Sequence, residues 1–225
     1  MKVMSSLAVK TAYLELVPQF EKSSGKRVDT EWVGMVDIRK RVGAGETIDA
    51  VIGSAALVDE LIEAGKLARG SRVDLVKSGV GVAVRKGAPK PDIGSLEALK
   101  KTLRAAKSIG YSAGPSGVYL EGLFKRLGIF DELKPKMTQA KPGVFVGELV
   151  ARGEYELAFQ QVSELMAVEG IRFVGPLPAE VQTITVFSGG VHAAAQDAEG
   201  ARALFAFLKA REAHAVLRRK GLEPA

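Results

Sequence analysis

Residues 112 to 119 read Ser112-Ala113-Gly114-Pro115-Ser116-Gly117-Val118-Tyr119. The apolar run before them, Ser108-Ile109-Gly110-Tyr111, reads as a short buried strand. Val118 to Leu127 carries apolar residues at helical spacing. A loop of small residues is therefore expected between a strand end and a helix start. Free backbone N–H groups and the helix dipole make such a place receptive to anions, and glycines let a ligand come close. Ser112 and Ser116 add hydroxyl donors, while Pro115 stiffens the turn without donating. The plain alternative is a structural turn with Ser116 as the helix N-cap. Recurrence of the same arrangement along the chain favours a site.

That recurrence is visible on both sides of the loop. Toward the N-terminus, a strand over Lys2–Met4 ends in Ser5-Ser6, and a helix follows from Leu7 to about Phe20, with a kink or restart at Pro18. A strand over Arg27–Val33 ends at Gly34, before a helix from about Val36 to Val42. A third strand, Asp49–Ile52, precedes a helix over Ala55–Ala64. This β-α-β-α-β-α order predicts an open parallel sheet. Arg72–Val76 and Gly79–Arg85 read as an extended pair that crosses into a second lobe. There, Ser95–Lys107 is expected to be a helix capped by Ser95, Lys134–Gly143 irregular, and Val144–Arg152 helical. A strand over Leu157–Phe159 ends in Gln160-Gln161, and Thr183–Ser188 returns the chain to the first lobe. The expected lobes are residues 1–78 with 187–225, and residues 79–186. In open α/β sheets ligands lie beyond the carboxyl ends of strands. Four such ends carry small or polar residues: Ser5-Ser6, Gly34-Met35, Ser112 to Gly117 and Gln160-Gln161. Two fall in each expected lobe, which predicts a ligand cleft between the lobes that can hinge shut.

Composition narrows the ligand. The 225 residues are 47% hydrophobic and only 6% aromatic, which suits an α/β core, and the net charge of +6 with a pI near 9.5 suits an anionic partner. No dense Lys/Arg block with interleaved aromatics is present, so no nucleic-acid partner is expected. The absence of cysteine excludes disulfides, thiol catalysis and cysteine metal sites. No apolar run approaches the ~18 residues of a membrane helix. Met1-Lys2 leads directly into Val3-Met4-Ser5-Ser6, so the expected alternatives are a cytoplasmic chain or a mature, trimmed form with an added Met. His192 and His214 have no metal-ligand spacing, and each reads as a surface or hinge residue. Glu154, Glu156 and Glu164 flank a strand, where solvated or capping roles are the default.

These features together resemble the type II periplasmic solute-binding fold, and more narrowly the molybdate-binding family of ABC-transporter substrate-binding proteins. The resemblance rests on the strand–Ser5-Ser6–helix start leading to Leu16-Val17-Pro18-Gln19-Phe20-Glu21-Lys22-Ser23-Ser24-Gly25. It rests also on Asp49-Ala50-Val51-Ile52 after a Gly-Glu loop, the turn Gly114-Pro115-Ser116-Gly117-Val118-Tyr119, and the ending from Ala206-Phe207-Leu208-Lys209 to Lys220-Gly221-Leu222-Glu223-Pro224. It implies an α/β, two-lobe fold and a small anion, a molybdate-like oxyanion or a small carboxylate, held by neutral donors. Ser5, Ser6, Gly34, Met35, Ser112, Ser116, Gly117, Val118 and Tyr119 are the implied contacts, with Gln160 or Gln161 closing the site. The sequence departs from the family at Val33-Gly34-Met35, where the family has a serine loop, and at Gln160-Gln161, where it has a tyrosine. The implied partner is an ABC-importer permease, the implied location is periplasmic as a mature form, and a monomer is expected. No cofactor, metal or enzymatic activity is expected.

Two alternatives share the fold. Some relatives of this family isomerise aconitate, so a polycarboxylate isomerase is the enzymatic reading, with Tyr119, Glu121 or Glu164 as conceivable bases. LysR-type regulators carry the same fold behind a helix-turn-helix, and no such helical segment precedes the first strand here.

Overall fold

The first strand, β1 (Lys2–Ser5), sends Val3 and Met4 to opposite faces, and each anchors a different core. The computed structural model describes residues 1–225. After β1, a 3-10 turn over Leu7–Val9 leads into α1 (Lys10–Ser24). Then come β2 (Asp29–Trp32), α2 (Met35–Gly43), β3 (Ala50–Ser54) and α3 (Ala55–Glu63). Strands β2 and β3 flank β1 and run parallel to it. Pro18 does not restart the helix but sits inside α1. Its ring removes the hydrogen bond to the Leu14 carbonyl, and both residues lie on the exposed face, where water can take the freed acceptor. The helix runs on through Ser24 and stops at Gly25, whose φ of 71° forms the left-handed cap.

The expected extended pair is one continuous strand, β4 (Val73–Arg85). It passes from one compact unit, Met1–Ser78 with Thr185–Ala225, into the other, Gly79–Ile184. Gly79 does not break it, because the side chain of Gln182 lies against that glycine and its amide brackets Val80, accepting from the Val80 N–H and donating to the Val80 carbonyl.

The second unit continues with α4 (Leu96–Ala105), β5 (Ile109–Tyr111), α5 (Pro115–Arg126), α6 (Phe130–Leu133), β6 (Met137–Gln139), α7 (Val146–Ala151), β7 (Leu157–Gln161), α8 (Val162–Leu165) and β8 (Ile171–Pro176). Ser95 caps α4, accepting from the Ala98 N–H. The supposedly irregular Lys134–Gly143 contains β6, which pairs in parallel with β5. Strand β7 is parallel to β5 and antiparallel to β4, and β8 is antiparallel to β4. Alternation along β4 builds two cores: Val80, Val82 and Val84 face Leu99, Leu103, Phe124 and Phe159, while Ala83 faces Ala158, Val146, Val150 and Leu165.

The chain returns through β9 (Ile184–Val191) and ends with α9 (Ala198–Lys209), α10 (His214–Arg219) and β10 (Glu223–Pro224). Strand β9 is antiparallel to β3, and β10 is antiparallel to β4, so the first unit's sheet is mixed rather than parallel. Its main core joins Leu16, Phe20, Phe187, Leu204 and Phe205.

His192, expected at the surface or at a hinge, is buried directly after β9. Its Nδ1 accepts from the Ala194 N–H at 3.2 Å, and its Nε2 has no partner. Burial, helped by Lys66 and opposed by Asp49, holds its pKa below the usual histidine value. The folded protein therefore binds a proton at His192 less readily than the unfolded chain does. Stability should be full above pH ~6.5 and fall as the pH drops through that value. Thermal melts between pH 7.5 and 5 should show this loss in the wild type and a shallower one in His192→Asn, which keeps an acceptor for Ala194. Parallel curves would assign the acid sensitivity to other groups.

Candidate functional site

In the second unit the parallel register sets Tyr111 beside Phe159, so Ser112 and Gln160 follow at neighbouring strand ends. The β5–α5 turn and the β7–α8 turn thus adjoin at one edge of the sheet. Helix α5 starts earlier than its apolar spacing suggests: Gly114 is the N-cap and Pro115 occupies the first helical position. The fixed φ of proline suits that position, and its missing N–H costs nothing there. Ser116 is therefore inside the helix, not its cap.

The donors of this turn can be counted. The Gly117 and Val118 N–H groups turn back to the Gly114 carbonyl at 3.0 and 3.2 Å, so they are not the ligand donors expected of them. Of the first-turn amides, that leaves the Ser116 N–H without a backbone acceptor. Ser112 Oγ and Ser116 Oγ are 2.8 Å apart, and Ser112 Oγ also accepts from the Gly114 N–H. Two hydroxyls carry two protons and their mutual bond uses one, so one proton remains to donate. Both serines are buried. The close turn exists because residue 117 is glycine: a Cβ there would sit 1.7 Å from the Ser112 carbonyl oxygen.

The other expected residues of this unit are committed within the chain. Tyr119 donates its hydroxyl to the Val181 carbonyl at 2.8 Å, and its ring stacks under Arg126. Val118 points outward, 67% exposed. Glu121 accepts from the Tyr111 hydroxyl at 2.8 Å; burial and that bond push the Tyr111 phenol up to about 12. Gln160 Oε1 accepts from the Val146 N–H at 2.7 Å, and the rest of its amide serves Glu164, so it is a buried strut instead of a ligand donor. Gln161 is buried as the N-cap residue of α8.

Glu164 is the group that strand-flanking position alone underrated. It is the third residue of α8, and its carboxyl reaches back to the N–H of Gln161, one half of a capping box. The sequence signal for that role is Gln161-Val162-Ser163-Glu164, a cap with an acidic residue three places on. Burial pushes its pKa up to about 7, against the opposing effect of the hydrogen bonds from Gln161 and Gln160. A carboxyl that titrates near neutrality can accept and return a proton at working pH.

In the first unit, Ser5 and Ser6 are buried at the end of β1. Ser5 Oγ donates to the Ser6 carbonyl at 3.2 Å, and Ser6 Oγ accepts from the Ala8 N–H, capping the 3-10 turn. Gly34 is the N-cap of α2, with no side chain to satisfy the helix start, and Met35 begins that helix half-buried. Among all residues no group of three or more His, Asp or Glu side chains could hold a metal. No helix is long and apolar enough to cross a membrane.

The family model for bacterial extracellular solute-binding proteins matches residues 1–223. The chain belongs to that family. It is 40% identical over 230 aligned residues to a protein named aconitate isomerase from Pseudomonas sp, covering 99% of this chain and 87% of that one. It is 22% identical over 224 residues to the molybdate-binding protein ModA of Escherichia coli (strain K12), covering 97% and 87%. The Azotobacter vinelandii periplasmic molybdate-binding protein superposes with a TM-score of 0.81 at 18% identity, over 99% of this chain and 98% of that one. The α/β fold of type II periplasmic binding proteins is thus the fold of this chain, and the resemblance to the molybdate-binding group holds. The expectation of a chain without enzymatic activity is overturned: a near full-length relative at 40% identity is an enzyme. That expectation rested on the absence of a recognisable catalytic constellation, and such an absence excludes no enzyme.

Two variants test the turn. Gly117→Ala must displace the Ser112 carbonyl, which should lower the melting temperature and abolish anion binding together. Ser116→Ala should leave the melting temperature within a few degrees and weaken carboxylate binding by about ten- to a hundredfold, since a lost hydrogen bond to a charged ligand is worth about 1.5–3 kcal/mol. Calorimetric titration that finds wild-type affinity in Ser116→Ala would remove this hydroxyl from the site.

Proposed function

We propose that the chain isomerises a small unsaturated polycarboxylate of the aconitate type by a 1,3-proton shift. Glu164 carries the proton, and the Ser112–Ser116 turn donates to a substrate carboxylate. The observation that carries this reading is the buried Glu164 carboxyl, held near neutrality at the start of α8, the helix that follows the turn adjoining those donors. The 40% identical relative supports the substrate class.

The chemistry asks little of the protein. Glu164, as carboxylate, takes a proton from the CH2 that lies between a carboxylate and the double bond. The C–H electron pair spreads over the three-carbon allyl unit and its carboxylates. The protonated Glu164 returns the proton to the far allyl carbon, and the double bond moves by one position. No electron leaves the system and no group departs. A pKa near the working pH keeps both the base and the acid form populated, as a group that must do both jobs requires. Donors on the carboxylates stabilise the negative charge that spreads toward them.

Ligand capture precedes that step, and solute binding is the property of the family as a whole. Family membership supports a location outside the cytoplasm, periplasmic in the mature form, and an ABC-importer permease as a partner. The molybdate-binding relative, at 22% identity, supports an anionic ligand but gives molybdate less weight than a carboxylate.

Proton NMR of cis- or trans-aconitate with the protein in deuterated water tests the reading. The expected result is interconversion with deuterium entering the CH2 position. Glu164→Gln should slow both by about 10²–10⁴-fold while substrate still binds. Binding without interconversion or exchange in the wild type would sink the isomerase.

The same variant makes a stability prediction. The folded pKa of Glu164 is raised, so its protonated form contributes stability that is full below the unfolded value of about 4.5 and is lost as the pH rises through about 7. Above that pH the ionised, buried carboxylate costs about 3 kcal/mol. Glu164→Gln should therefore melt higher than wild type at pH 8, with the gap closing toward pH 5.

A further inference from the structure

A cavity of about 490 Å³ opens in the second unit at the end of the sheet away from the Ser112 turn. Strand β7 starts there with Leu157 and ends at Gln161, roughly 13 Å away along the strand. Val84 of β4 pairs with Leu157, and both are buried at the floor of the cavity. One wall is Ala105 and Ala106 at the end of α4, and another is Pro89 and Pro91 of the loop after β4. That loop is tied back on both sides of its prolines. The Lys86 N–H donates to the Gly170 carbonyl at 2.9 Å, Arg172 donates to the Ala88 carbonyl at 3.3 Å, and the Thr102 hydroxyl donates to the Asp92 carbonyl at 2.7 Å. Proline adds its own stiffness, so the loop does not fall inward. The volume lies within the range of about 300–1,000 Å³ usual for small-ligand sites.

Two of the polar side chains that line this apolar space, Arg85 and Glu156, carry opposite charge. They are the residues next outward from the Val84–Leu157 pair, so they neighbour each other at the end of the ladder. Opposite charges at such positions attract and commonly pair. These two do not. Glu156 turns one oxygen to the Lys107 N–H at 2.7 Å, and Arg85 lies beside Gly153, where a Cβ would sit 3.5 Å from its Nη1. The Arg85 guanidinium has no partner in the chain, and no donor of the chain takes the second Glu156 oxygen. A third group, Tyr155, gives the cavity an aromatic wall. Its ring is fixed against Gly110, where a Cβ would be 2.5 Å from its Cδ2.

We propose that this cavity binds a small zwitterion with an apolar body, the class of the large apolar α-amino acids. The carboxylate meets the Arg85 guanidinium, the ammonium meets the open Glu156 oxygen, and the side chain lies over Val84 and Leu157 beside the Tyr155 ring. A simple organic anion satisfies Arg85 but is repelled by Glu156, and a simple cation meets the reverse conflict. Only a ligand that carries both charges close together answers both groups. The site stands apart from the proton shift: the Ser112 turn and Glu164 follow the other end of β5 and β7 and take no part in it.

Calorimetric titration of the full-length protein with L-phenylalanine tests this. The expected result is saturable binding at one site per chain. 3-Phenylpropionate lacks the ammonium and phenethylamine lacks the carboxylate. Each should bind about fivefold more weakly, the worth of one partly exposed ion pair. Arg85→Gln and Glu156→Gln should each weaken phenylalanine binding by about the same factor, and a glutamine at position 156 keeps an acceptor for Lys107. Ala105→Trp, at an exposed position, should fill the space and abolish binding without lowering the melting temperature. Ser116→Ala should leave phenylalanine binding unchanged. Absence of binding at millimolar phenylalanine overturns the site, and equal affinity for 3-phenylpropionate overturns the zwitterion. Wild-type affinity in any of the three cavity variants also overturns the proposal. Binding that is lost in Ser116→Ala places phenylalanine at the Ser112 turn and defeats the cavity as well. If Ala105→Trp does not fold, the Arg85 and Glu156 variants decide.

Discussion

One buried chain of hydrogen bonds governs the β7–α8 turn of the second unit: Val146 N–H to Gln160, and Gln160 together with the Gln161 N–H to Glu164. Buried polar groups are costly unless each is paired, and here each bond completes the next. The chain joins α7, β7 and α8, which are separate elements around Ala83, Ala158 and Leu165. Removing one member strands the others in a buried setting. The conflict at Glu164 follows directly. Two donors favour its carboxylate, but burial outweighs them and favours the acid. A carboxyl balanced in this way titrates where a proton-transfer group is useful, and it lowers the stability of the fold at neutral pH. Stability is commonly given up at functional positions in this manner.

The neighbouring turn shows the same coupling of packing to chemistry. Gly117 lets the Ser112 carbonyl lie where any side chain would collide, and that closeness brings the Ser112 and Ser116 hydroxyls to 2.8 Å. Pro115 and the back-turned amides of Gly117 and Val118 leave the donors few and fixed. A sparse donor set tends toward a selective one, because an anion placed there would meet the Ser116 N–H and a single hydroxyl proton rather than a general positive field. In this turn those neutral donors are the available means of holding an anion.

Why the chain reads first as a binder and then as an enzyme has a physical cause. Binding turns leave a trace in composition, since glycine, serine and proline cluster where the backbone approaches a ligand. A proton-transfer carboxyl leaves none. Glu154, Glu156 and Glu164 look alike in the sequence, yet Glu154 pairs with Arg152 at the surface, Glu156 accepts from the Lys107 N–H, and Glu164 is enclosed. That enclosure, unlike a cap or a turn, is announced by no local pattern in the sequence.

The sequence by itself determined the order of strands and helices at the N-terminal half, the turn at Ser112–Gly117, the cap at Ser95, and the class of the fold. These follow from hydrophobic period, glycine and proline punctuation and capping chemistry, all of them local. Tertiary structure alone decided that β4 is one strand, because Gln182 from 102 positions away pairs with both backbone groups of Val80. It alone decided that Pro18 can stay inside α1, by turning the Leu14 carbonyl outward. It decided that Gln160 is a strut and Tyr119 an anchor, because hydrogen-bond partners are chosen by proximity in space. And it decided which glutamate is enclosed and carries a raised pKa, since a pKa is set by what surrounds a carboxyl and not by the residues beside it in the chain.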